Sequence, residues 1–311
     1  MKINHILVIM DPTTEEQPAL LKAIPLAKRC HAAVELFLVV HHSALTPSWL
    51  NREHPQEHVI AEYLKTKQRW LDSYLTLGLK ENIAISSEVR WHKPLHREIL
   101  KKISESGTDL VVISTHQHSA IEQLNFSAND WHFLNTCPVP LLLAKANGRE
   151  KYQSIMAAVD LKKSTRDEPI LDREVLDSCV MLGDMLDAKA HVSHIYDPKG
   201  HELWQGNNLS TSGLNIPSYV SPVPPQQLEA YHRTEFFRLI DHYAFEDKHI
   251  HLDTGIAGNR LTRSIIKHKI DLLIMGVRNH FGFIGNTTEK IVDHVNCDIL
   301  ALKAKNQAIE H

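Results

Sequence analysis

The strongest constraint on this chain is that its sequence says nearly the same thing twice. "HILVIMDPTTEEQPALLKAIPLAKRCHAAVELFLVVHH" and "SIMAAVDLKKSTRDEPILDREVLDSCVMLGDMLDAKAHVSHIYD" each open on a short apolar run closed by an aspartate, Asp11 and Asp160. A cysteine follows 19 residues later in both, Cys30 and Cys179, ahead of another apolar run. The later parts agree too. "TDLVVIST" through "NTCPVPLLLAK" matches "IDLLIMGV" through "VNCDILALK", with Cys137 and Cys297 just before the last apolar run. Features kept in order at both ends are the mark of a tandem duplication, so both halves must fold alike.

Within each half, short apolar runs alternate with segments of helical period. Leu171, Val175, Cys179, Leu182 and Leu186 recur every three or four residues, as do Ile60, Tyr63, Leu64, Leu71, Tyr74 and Leu75. The strand candidates are "ILVIM", "VELFLVV", "AISSEVRW", "LVVIS" and "PLLLAK", then "IMAAV", "AHVSHIY", "HIHLDTG", "LLIMG" and "DILALK". Runs that are apolar throughout are buried on both faces, which means parallel strands covered by helices on either side. The expected fold is α/β: two tandem five-stranded, parallel, doubly wound Rossmann-like domains, at 1–146 and 151–305. The Asn-Gly turn signal and charges of "ANGREKYQ" separate them. Pro25, inside the first helical segment, is expected to kink or end it. The long 197–227 connection is rich in Pro, Gly, Asn and Ser, and a loop of that length usually covers a site. Its Trp204, Ile216, Tyr219 and Val220 suit that role.

A formal net charge of -3 gives no electrostatic footprint for nucleic acid or an anionic membrane. The N-terminal apolar stretch stops at Asp11, too soon for a signal peptide, and no run reaches the ~20 apolar residues of a membrane span. A cytoplasmic protein is expected, with its four cysteines reduced and mostly buried, since none form a C-x-x-C pair.

One loop invites a chemical reading. In "IMGVRNHFGFIGNTTEKI", Gly276, Gly282 and Gly285 separate an apolar run from a helix start at Asn286-Thr287-Thr288-Glu289. In an open α/β sheet, ligands bind beyond the carboxyl ends of the strands where strand order reverses. Gly276 would permit a sharp exit from the strand, and Gly285 a close backbone approach. The N–H groups of residues 286–288 would then face an anion at the helix N-terminus. The alternative is a capping box, Asn286 with Glu289, that satisfies the same N–H groups without any ligand.

With the duplicated aspartate-terminated strand, the strand-end Gly276 and "GNTTEKIVDHVNCDILALK", residues 3–305 resemble the universal stress protein family. The tandem layout with "THQH...NDWHFLNTCPVP" is similar to its UspE-like members. The resemblance implies an adenine-nucleotide site, for ATP or ADP with Mg. Its parts would be the aspartate ending the first strand, an apolar residue ending the second, and a glycine loop. Those roles fall on Asp160, which would bond the ribose or adenine edge, and on Ile195 and Met275, which would flank the base. Gly276, Asn279, Gly282, Gly285, Asn286 and Thr287 would form the phosphate loop. Asn279 stands where the family carries its second glycine, and Gly285 follows Gly276 more closely than the family spacing has it. The first half, "STHQHSAIEQLNFSANDW", has no glycine there. Nucleotide is therefore expected in the second domain only, and weakly held. The family also pairs such domains through their last strands, which implies an intrachain pseudo-dimer and leaves a homodimer open.

Other chemistry finds little support. The 22 histidines include the pairs His54/His58, His92/His96, His116/His118 and His249/His251. A zinc site needs three or four ligands, however, and no third can be assigned to any pair. No metal site and no catalytic residue are expected: a nucleophile elbow and a P-loop are both lacking, and nothing marks a group that would place an attacking water. At most, slow ATP hydrolysis fits. Besides the nucleotide reading, two others stay open: a binder of another, partly apolar small molecule, and a ligand-free interaction scaffold.

Overall fold

The computed structural model describes residues 2–42, 45, 56–115, 133–146, 151–161, 168–198, 224–277, 279–280, 283–284, 288, 291–292 and 294–303. The chain divides into two compact units, Met1–Glu150 with Asp298–His311, and Lys151–Cys297.

In the first unit the strands are β1 (His5–Ile9), β2 (Ala33–Val40), β3 (Ile85–Trp91), β4 (Leu110–Thr115) and β5 (Leu141–Lys145). They lie in the order β3-β2-β1-β4-β5, and all of these neighbours are parallel. The helices are α1 (Pro18–Cys30), α2 (Gln56–Asp72), α3 (Leu75–Glu81) and α4 (Leu95–Ser106). Leu7, Leu36, Phe37, Val111 and Leu143 have no exposed surface, as continuous apolar strands covered on both faces require. Contrary to expectation, α1 runs unbroken through Pro25. The carbonyl that loses its partner there belongs to Leu21, which is 59% exposed, so water can take the bond.

In the second unit are β6 (Ser154–Val159), α5 (Glu168–Leu186), β7 (Lys189–Tyr196), α6 (Pro225–Ile240), β8 (Ile250–Thr254), α7 (Ala257–His268) and β9 (Leu272–Gly276). Its four strands are parallel, in the order β8-β7-β6-β9. The periodic residues of α5 form its inner face, with Leu171, Val175, Cys179 and Leu182 buried.

The duplication is legible at the level of single hydrogen bonds. The Asp109 carboxylate accepts the Asn4 and His5 N–H groups at 2.7 and 3.1 Å. Asp271 accepts those of Gln153 and Ser154 at the same two distances. Both first helices end on a left-handed residue, His31 with φ 55° and Asp187 with φ 54°. In both, the next N–H returns to a carbonyl one turn back, Ala27 and Gly183.

The second repeat's last strand lies beside the last strand of the first. β12 (Asp298–Leu302) pairs antiparallel with β5, Leu300 opposite Leu142, and lies in the first unit. Asp298 anchors it: fully buried, it accepts the Lys145 N–H at 2.8 Å and sits 3.0 Å from the Lys22 ammonium, which is also buried. Between β9 and β12 the chain forms a small hairpin of β10 (Asn279–His280) and β11 (Phe283–Ile284).

Candidate functional site

The strand order of the second unit reverses between β6 and β9: the chain runs outward from β6 through β7 to β8, then returns to β9 on the other side. The carboxyl ends of these two strands therefore border the crevice that open α/β sheets use for ligands. Asp160 follows β6 directly, and Met275 and Gly276 end β9. Register places Met275 beside Ala158 and Ser193 beside Ala158 on the other side. Ile195, two residues past Ser193, therefore shares the face of Met275, because side chains alternate along a strand. Asp160, Ile195, Met275 and Gly276 thus lie at neighbouring strand ends. Met275 is buried, and Asp160 and Ile195 are half-buried.

Gly276 is the last residue of β9, the strand end where it was expected, and it is not among the described glycines with positive φ. A Cβ there would stand 2.7 Å from Leu171 Cδ2, so its bareness makes room for α5. Of the residues expected to form the phosphate loop beyond Gly276, Asn279 alone is described. Asn279 lies in β10 opposite Ile284, so backbone polar groups of this segment are committed to the hairpin. Gly282, Gly285, Asn286 and Thr287 lie outside the described residues, as does the connection 199–223 with Trp204, Ile216, Tyr219 and Val220.

On the other face of the sheet, β7 carries groups the sequence reading passed over. His194 Nδ1 is 3.1 Å from the Val159 carbonyl, which can only accept, so this nitrogen donates. Its Nε2 then accepts from His232 Nδ1 on α6, 2.9 Å away. The His232 ring stacks on Tyr196 at 4.3 Å and 8°, and Phe236 lies 5.7 Å from His194. Burial holds the His194 imidazole below its usual range, against the opposing pull of the Val159 carbonyl and the Asp160 charge. The signal for this cluster was the alternation in "HVSHIY", which puts His194 and Tyr196 on one face; the partner on α6 is not encoded in that stretch.

The first unit uses the equivalent positions otherwise. The Asp11 carboxylate accepts the N–H and hydroxyl of Thr13 at 2.8 and 2.6 Å, closing its own turn. Ser114, the counterpart of Gly276, accepts the Ala19 N–H at 3.0 Å. Two of the described cysteines are poor nucleophiles. Burial pushes the Cys137 thiol up to about 11 and the Cys179 thiol up to about 12, so neither offers a thiolate at neutral pH. Of the histidine pairs, His54, His116 and His118 fall outside the described residues, and His249 and His251 join a larger group at the far end of the sheet.

Residues 2–145 match the model of the Universal stress protein family. Along 308 residues the chain is 24% identical to universal stress protein E of Photorhabdus laumondii, covering 96% of this chain and 95% of that one. It is 21% identical to universal stress protein E of Escherichia coli K12 over 306 residues, covering 96% and 94%. Among solved structures it is similar to a protein of unknown function from Pseudomonas aeruginosa PAO1, with a TM-score of 0.71, 20% identity and coverage of 98% and 94%. A universal stress protein from Archaeoglobus fulgidus gives a TM-score of 0.69 at 14% identity, covering 98% and 100%. No helix among the described residues is long and apolar enough to cross a membrane. The first repeat thus matches the universal stress protein family, and along almost its whole length, with the fold built twice, the chain is similar to universal stress protein E.

Proposed function

We propose that the second unit is a cytoplasmic stress-response module that binds one adenine nucleotide, ATP or ADP with Mg2+, at the carboxyl ends of β6, β7 and β9. The observation that carries this reading is the gathering of Asp160, Ile195 and Met275 at the point where strand order reverses. Asp160 would accept from the ribose or base edge, and the two apolar side chains would flank the base. Asn279, Gly282, Gly285, Asn286 and Thr287 would face the phosphates. Because the β10–β11 pairing already occupies backbone groups of that loop, the phosphates gain fewer bonds. Affinity should then be modest and change little from AMP to ATP.

Calorimetric titration checks this: one site per chain, lost in Asp160→Ala and kept in Asp11→Ala. Two equivalents per chain, or equal binding by both variants, would refute it. The hairpin also favours a second reading, a partly apolar ligand with few polar anchors. A thermal shift with long-chain acyl compounds and none with nucleotides would select it, and no shift with either would select a ligand-free scaffold. The pairing of the two repeats' last strands supports a chain that acts as its own pseudo-dimer; light scattering at twice the chain mass would point to a homodimer instead.

A further inference from the structure

At the amino-terminal end of the second unit's sheet, away from the nucleotide crevice, four imidazoles meet. His191 is near the start of β7, His251 near the start of β8, and His249 in the helical turn just before it. Register pairs Ser193 with His251, which makes His191 and His251 diagonal neighbours on one face. His268 is the last residue of α7, whose C-terminus returns to the amino ends of the strands as a β-α-β crossover requires. His191 Nδ1 lies 3.1 Å from His251 Nε2, and one nitrogen from each of His191, His251 and His268 fits within 4.8 Å of the others. The His249 ring centre is 4.1 Å from that of His191, and the His268 ring centre 4.1 Å from that of His251.

We propose that His191, His251 and His268 form a binding site for a divalent transition-metal ion of the zinc class, with His249 or water completing the coordination. Imidazole-only donors suit Zn2+, Co2+, Ni2+ or Cu2+ and not Mg2+ or Ca2+, which take oxygen. Tetrahedral bonds of about 2.0–2.1 Å hold ligand nitrogens about 3.3 Å apart, close to the His191–His251 spacing. His191 is buried and His251 and His268 half-buried, so the position is screened yet open on one side. Burial, then the neighbouring imidazoles, holds His191 down to about 3, and burial with His268 and His249 holds His251 down to about 4. His249 and His268 are lowered as well, burial again the largest cause. Lys189, Lys248 and Lys267 oppose a cation here. Asp253, whose charge acts on His251 and His268, and Glu246, 4.0 Å from His249, favour one. The partial negative charge at the C-terminus of α7 adds to the attraction. A bound ion would tie β7, β8 and the end of α7 together.

The test uses the untagged full-length protein, stripped with chelator and titrated with Co2+ and then Zn2+. The expected result is one Co2+ per chain with the intense visible bands of a four-coordinate site, displaced by Zn2+. Melting temperature should rise with Zn2+ concentration. His251→Gln and His268→Gln, both at half-buried positions, should weaken binding by at least about tenfold with an unchanged circular dichroism spectrum. His242→Gln, exposed and outside the cluster, should bind as the parent does. Absence of saturation at one equivalent, or parental affinity in both cluster variants, overturns the proposal.

Discussion

At Gly276 the chain has no room for even a methyl group, because Leu171 of α5 closes over it. Gly276→Ala is expected to cost about 1–3 kcal/mol of stability, the usual range for overpacking. Adding Leu171→Ala should give a double variant less destabilised than the sum of the two single changes, read from urea midpoints. His194 makes the other residue-scale prediction. Unfolded, it titrates near ~6.5; folded, burial holds it lower, so between the two values the unfolded chain binds more protons. Its contribution is therefore complete above ~6.5 and is lost as pH falls through the folded value. The urea midpoint should drop as pH falls from about 7.5 to about 5, and His194→Gln should remove part of that slope. Asp160, Ile195 and Met275 were named through the family resemblance, which looks to the ends of apolar runs. His191, His194, His232 and His268 were not, because their meeting depends on register and on helices returning from elsewhere in the chain.

At the scale of elements, the main strands read clearly because a strand buried on both faces leaves a continuous apolar run. The β10–β11 hairpin escaped notice for the converse reason, since two-residue strands carry no periodicity. The antiparallel partner of β12 was also invisible in its own residues: "DILAL" is equally apolar whichever strand it meets. What holds it is the buried Lys22–Asp298 pair. Asp298→Ala removes the carboxylate 3.0 Å from the buried Lys22 ammonium and the oxygen that accepts the Lys145 N–H, and should cost about 3–5 kcal/mol. Lys22→Met combined with Asp298→Asn should recover most of that loss, as chemical denaturation would show.

At the scale of the whole molecule, the α/β class and the duplication follow from the order of apolar runs, and the bonds to Asp109 and Asp271 show how far the copies still agree. Asp11 and Asp160 both stand where strand order reverses in their own unit, and Asp11 closes a turn on Thr13 there. Stopping the chain before Asp298 should lower the melting temperature of the first unit even though the cut is made in the second repeat. A transition of the first unit unchanged by that cut would contradict the assignment of β12.

That placement of β12 bears on inheritance. A recombination event that parted the two copies at the 146–153 junction would carry β12 off with the second copy and leave β5 of the first without its antiparallel partner.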